Sequence, residues 1–173
     1  MRDALLVVDV VNDFRHEDGE RLAASFVASA PALRASLDRA RAAGVPVVYA
    51  NDNRGAWDGD REAFVAASIR DGRAGEALAA VAPRPGEAFL FKLRYSAFDF
   101  TPLEPLLHEL GVERLLLAGT ATERCVAQTA IAARERGFKV SVLARACAHV
   151  DERDAALALD YLERIVGCRV ERG

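Results

Sequence analysis

Lysine is scarce in this 173-residue chain: of 23 basic residues only Lys92 and Lys139 are lysine, and the rest are arginine. Where a solvated positive charge suffices, the chain uses arginine, so each lysine is informative. Cysteine is limited to three residues, an odd number without close pairing, which excludes a disulfide framework. No block of basic residues occurs and the net charge is −3, which excludes a dedicated nucleic-acid surface. No apolar run is long enough to span a bilayer, so no membrane partner is expected. The N-terminus enters an apolar pattern at once and lacks a signal-peptide layout, which makes the cytoplasm the expected location. Internal repeats, low-complexity segments and linkers are also missing. Half the residues are hydrophobic and 28% are charged, the balance of a globular protein, and residues 1–173 are expected to form a single domain.

Short apolar runs alternate with helical patterns. Strands are expected over 4–10, 45–50, 88–92, 114–118, 139–143 and 165–170. The first run is continuous (Ala4-Leu5-Leu6-Val7-Val8), as in a strand covered on both faces. Leu33, Leu37 and Ala40 share a helix face that stops at Gly44. Further helices are expected over 102–110, ending at Gly111, and over 123–136, with Thr122 as N-cap and Gly137 as stop. A last helix follows Asp151 and carries Leu157, Tyr161, Leu162 and Ile165. The least regular regions are 15–26 and 51–86, the second holding one short helix near 62–69. This alternation predicts a three-layer α/β/α doubly wound fold with a parallel sheet.

Ligands of such sheets bind outside the carboxyl ends of the strands. There the sequence places Asp9, then Asn51-Asp52-Asn53, then Lys92, and then Gly119-Thr120-Ala121-Thr122-Glu123-Arg124-Cys125. Cys125 falls in the first turn of a helix, where unpaired N–H groups and the helix dipole favour an anion. That placement predicts a lowered thiol pKa and donors for an oxyanion. Asp9 is suited to take the thiol proton, and Lys92 to balance the resulting charge. Phe14, Trp57, Tyr95 and Phe98 follow strand ends or lie in loops, and are candidates to line a substrate pocket. Cys147 and Cys168 lack comparable neighbours and are expected in the core.

Three segments carry a resemblance. Leu6-Val7-Val8-Asp9-Val10-Val11-Asn12-Asp13-Phe14, Phe91-Lys92-Leu93-Arg94-Tyr95-Ser96-Ala97-Phe98 and Gly119-Thr120-Ala121-Thr122-Glu123-Arg124-Cys125-Val126 resemble, in order, the signature blocks of the isochorismatase-like cysteine hydrolases. Nicotinamidases and N-carbamoylsarcosine amidases belong to that superfamily. The resemblance implies a six-stranded sheet of order 3-2-1-4-5-6 and a triad of Asp9 as base, Lys92 as electrostatic partner and Cys125 as nucleophile. It also implies a cis peptide between Thr120 and Ala121, turning the Ala121 N–H beside that of Cys125 as an oxyanion hole. Phe14 matches a pocket-lining position of the family, and homo-oligomers are common in it.

One departure stands out. Nicotinamidases carry an Asp-x-His block after the second strand that helps bind a metal. Here Asp52 matches the aspartate, but Arg54 stands at the histidine position, and the chain's histidines are His16, His108 and His149. An arginine pairing with Asp52 removes the need for a cation, so neither metal nor cofactor is expected. The resulting expectation is a cysteine-dependent hydrolase of a C–N bond in a small amide or carbamoyl compound. Isochorismatase-type hydrolysis and a non-catalytic binding or assembly protein remain open as alternatives.

Overall fold

The computed structural model describes every residue from Met1 to Gly173 except Ala56 and Asp58. The first strand, β1 (Asp3–Val8), lies at the centre of a parallel sheet. Its neighbours are β2 (Val47–Asp52) on one side and β4 (Arg114–Gly119) on the other. Beyond them lie β3 (Ala88–Lys92), β5 (Lys139–Cys147) and β6 (Arg169–Glu171), so the order is β3-β2-β1-β4-β5-β6. All five pairings are parallel.

The continuous apolar run of β1 is explained by its two covered faces. Leu5 and Val7 pack with Leu22, Phe26, Leu33 and Leu37 of α1 (Gly19–Ala42), Phe64 of α2 (Arg61–Asp71), and Leu78 and Val81 of α3 (Gly75–Val81). Ala4, Leu6 and Val8 face the opposite layer, with Leu103 and Leu107 of α4 (Leu103–Glu109) and Ala130 of α5 (Ala127–Glu135). Leu162, just after α6 (Glu152–Tyr161), joins that layer. Successive side chains of a strand point to opposite faces, so one apolar run anchors two cores.

Several expected boundaries move. Residues 15–26 are not irregular throughout, because α1 begins at Gly19; Leu22, Ala23 and Phe26 extend its buried stripe. Residues 51–86 hold two helices rather than one. The segment after α6 is not strand from 165: residues Leu162–Val166 form a wide, π-helical turn that closes on Gly167 at φ 79°, and β6 starts only at Arg169. Residues Thr122–Val126 form a second π-helical turn leading into α5. Thr122 is therefore not a cap; its hydroxyl donates to the Ala148 carbonyl at 2.8 Å.

The β1–β4 contact sets the position of the site. A Cβ at residue 119 would overlap the carbonyl oxygen of Val8, and Gly119 has φ 131°. Only glycine allows that approach and that backbone together.

Candidate active site

Asp9 leaves β1 in a left-handed conformation, φ 53°, which aspartate tolerates better than most residues. This turn sends its carboxylate across the sheet edge. Oδ1 accepts the Asp52 N–H at 2.7 Å and Oδ2 pairs with Lys92 Nζ at 2.7 Å. Lys92, the last residue of β3, is 1% exposed, and Nζ also donates to the Arg94 carbonyl at 2.8 Å and to Cys125 Sγ at 3.5 Å. The lysine reaches the centre across β2, whose Asp52 lies in register with it. Acid, ammonium and thiol thus meet above three different strands.

The nucleophile turn is fixed from below. Thr120 donates its N–H to Val8 and its hydroxyl to the Asp9 carbonyl, both at 2.8 Å. The Thr120–Ala121 peptide is cis. Arg124 pairs with Asp18 at 2.6 Å, tying the turn to the start of α1.

Burial dominates the electrostatics. It pushes the Cys125 thiol up to about 12; the Asp9 charge adds to the rise and Lys92 opposes it. The helix-terminus effect that predicts a lowered thiol pKa is therefore overridden by desolvation. Burial likewise raises the Asp9 carboxyl above its ordinary value, against the opposing Lys92 charge. Burial depresses the Lys92 ammonium, but Asp9 and Cys125 outweigh it and hold its pKa above normal. Cys125 is thus held as a neutral thiol and Lys92 as an ammonium, and with Asp9 as carboxylate the set carries no net charge. Moving the proton from Sγ to Asp9 keeps that balance, whereas losing it to solvent leaves a buried negative charge.

A cleft of about 540 Å³ opens over these groups. Asp9, Thr120, Ala121 and Cys125 line its floor, and Tyr95 lines its wall. Other expected pocket residues lie elsewhere. Phe14 is fully buried against Phe26, because its φ of 55° turns the ring into the core. Phe98 is buried against Phe138 beneath the Arg136 guanidinium. Trp57 is 77% exposed and off the cleft wall. Asn12 and Arg124, which fall inside the signature segments, and Arg15 and His16, which no pattern marks, also line the cleft. Asn51, placed by the sequence at a strand end but without a role, is held from both sides: its amide both accepts from and donates to the Val11 backbone at 2.9 Å. A polar residue ending an otherwise buried strand was the available signal.

Contrary to the expectation from sequence, Arg54 does not pair its guanidinium with Asp52. It pairs with Asp13 at 2.7 Å, donates to Ser68 Oγ at 2.7 Å and lies 4.5 Å over the Phe64 ring. Among the described residues, the Asp52 carboxylate receives only the Arg54 backbone N–H, at 2.7 Å. A guanidinium has donors and no acceptor, so these residues do not fit the metal that an Asp-x-His block holds.

Fold and arrangement together define the class, a doubly wound α/β enzyme of the hydrolase type. The chain belongs to the isochorismatase family: the isochorismatase domain model matches residues 3–169. It is 31% identical to the isochorismatase family protein YaaI of Bacillus subtilis, over 94% of this chain and 90% of that one. It is 33% identical to the maleamate amidohydrolase of Pseudomonas putida, covering 90% of this chain and 78% of the relative. The solved N-carbamoylsarcosine amidase from Thermoplasma acidophilum superposes with a TM-score of 0.73 at 31% identity, covering 99% and 96% of the two chains.

Proposed function

We propose that the chain, working as one domain, hydrolyses a C–N bond of a small amide or carbamoyl compound through a thioester on Cys125. The observation that carries this reading is the convergence of Asp9 and Cys125 on Lys92 Nζ, at 2.7 and 3.5 Å, on the floor of a cleft. Asp9 takes the thiol proton as Sγ attacks the carbonyl carbon, then gives it to the departing nitrogen. Its raised pKa suits both halves of that exchange. Water then attacks the thioester, Asp9 receives its proton, and the sulfur leaves reprotonated with release of the acid. Lys92 stays charged and offsets whichever of Asp9 or Cys125 is anionic.

The N–H groups of Thr120, Thr122, Arg124 and Val126 are spent on backbone carbonyls. We assign the oxyanion-binding role to those of Ala121 and Cys125. No step is routed through a metal, since Lys92 supplies a fixed positive charge beside Asp9 and Cys125. Amidohydrolase relatives and the neutral, proton-conserving triad support the amide reading over isochorismatase-type hydrolysis. A binding or assembly role leaves the buried acid, lysine and thiol without a purpose. The test is an amide and carbamoyl substrate panel run with wild type and Cys125→Ala. Turnover in wild type alone is the expected result; equal turnover in both would sink the mechanism.

A further inference from the structure

Glu123 lies two residues before Cys125, in the first turn of the π-helical segment. Its Oε1 leaves that turn and accepts two backbone N–H bonds from a distant loop, Val150 at 2.8 Å and Asp151 at 3.2 Å. Asp151 caps α6 through its own side chain, accepting from Arg153 and Asp154. The same loop is held one residue earlier in the turn, where the Thr122 N–H and hydroxyl both donate to Ala148 O at 2.8 Å. Ala148 in turn donates its N–H to Gly119. A closed ring of hydrogen bonds therefore joins residues 119–123 to residues 148–151, immediately beside the thiol.

The carboxylate carries a cost in this place. Its Oε2 is buried with no hydrogen-bond partner among the described residues, an arrangement proteins seldom retain. An aliphatic side chain would fill the space without that cost but would leave the Val150 and Asp151 N–H groups unpaired. The residue is thus suited to its two bonds and not to filling volume.

We propose that Glu123 is a positioning residue: by clamping the loop 148–151 to the nucleophile turn, it fixes Cys125 Sγ against Asp9 and Lys92. The proposal rests on the reading of Cys125 as nucleophile. A loosened turn lets the sulfur drift from its base, and misplacement of about 1 Å can cost about 100-fold in rate.

The test uses iodoacetamide on the whole protein, with peptide mapping of each cysteine across a pH series. Glu123→Ala is expected to slow alkylation of Cys125 about 10-fold or more and to give it the pH profile of an isolated thiol, while Cys147 and Cys168 stay protected. Glu123→Gln is expected to restore the wild-type rate and profile, because its amide oxygen accepts the same two bonds. Glu123→Asp, one methylene shorter, is not. Wild-type kinetics at Cys125 in Glu123→Ala would overturn the proposal. So would exposure of all three cysteines in Glu123→Ala together with wild-type kinetics in Glu123→Asp, which marks a purely stabilising role. Hydrogen exchange on the wild type needs no variant: the Val150 and Asp151 amides are expected to be strongly protected, and exchange at open-loop rates would refute the clamp. Turnover by Cys125→Ala would instead sink the nucleophile reading and leave the clamp's geometry to stand on the exchange result.

Discussion

The turn after β4 presents a half-buried thiol, Cys125, and the end of β5 a buried one, Cys147, and their surroundings differ although their pKa values do not. Burial pushes both Cys125 and Cys147 up to about 12. Cys147 has the Leu117 carbonyl 3.9 Å from its sulfur and the Gly119 backbone nearby, and sits in the core. Cys125 has the Lys92 ammonium at 3.5 Å and lies close enough to Asp9 for that carboxylate to raise its pKa. On the proposed reading, reactivity at this sheet edge does not come from a standing thiolate but from a base placed to receive the proton as the sulfur attacks.

The largest expected effect breaks this comparison outright. Cys125→Ala is expected to abolish turnover on the amide panel, a loss of about 10³-fold or more. Cys147→Ala should keep kcat/KM within about twofold and lower only the melting temperature, by removing core volume. Comparable losses in both would deny Cys125 its distinct role.

Asp9→Asn comes next. It keeps the size of the side chain and removes the base, and is expected to cost about 10²–10⁴-fold in kcat. Iodoacetamide labelling of Cys125 should slow toward that of Cys147. Labelling at the wild-type rate, in protein shown to be folded, would contradict the proton transfer.

The pH dependence is a finer probe. Asp9 must be ionised to act, and burial raises its carboxyl above the ordinary range. The acid limb of kcat/KM should therefore lie above the usual aspartate value near 3.8. The sign for stability is opposite. A carboxyl whose native pKa exceeds its unfolded value stabilises most below the unfolded value, and that contribution is lost as pH rises through the native one. Activity and stability should thus move in opposite directions over that interval, measured by paired rate and melting curves. An acid limb at or below the ordinary value would remove the evidence for a buried base.

The smallest effect concerns Arg54. Arg54→Ala removes a half-buried ion pair with Asp13, the Ser68 bond and the stack on Phe64, for a loss of about 1 kcal/mol in stability by denaturant titration. Wild-type turnover should be insensitive to prolonged chelation, and stoichiometric zinc in fresh protein would count against the fixed-charge reading.

Much of this was legible in the chain. The continuous run at 4–8 and the alternation of helix and strand were enough for the doubly wound sheet, because burial on two faces leaves a strong apolar pattern. Asp9, Lys92 and Cys125 stood out as chemistry at strand ends, and in a chain so poor in lysine Lys92 was conspicuous. What failed depended on backbone conformation. Phe14 reads as a pocket residue until a left-handed φ turns it inward, and no composition rule foretells that choice in a bulky residue. The thiol pKa was misjudged because a helix terminus is visible in sequence and depth of burial is not. Arg54 was found at the right place, but its partner Asp13 comes from another loop, and Glu123 reads as an ordinary first-turn acid until the loop at 148–151 meets it.

The absent side chain at residue 119 has a broader consequence. Any added carbon would wedge β4 away from β1 at Val8, and the acid and the thiol ride on the ends of those two strands. Their spacing is therefore written into the sheet, like a fixed jaw in a vice, while the cleft walls come from loops beyond it. A designer seeking a new substrate can recut Arg15, His16 and Tyr95, provided that one hydrogen atom is left where it is.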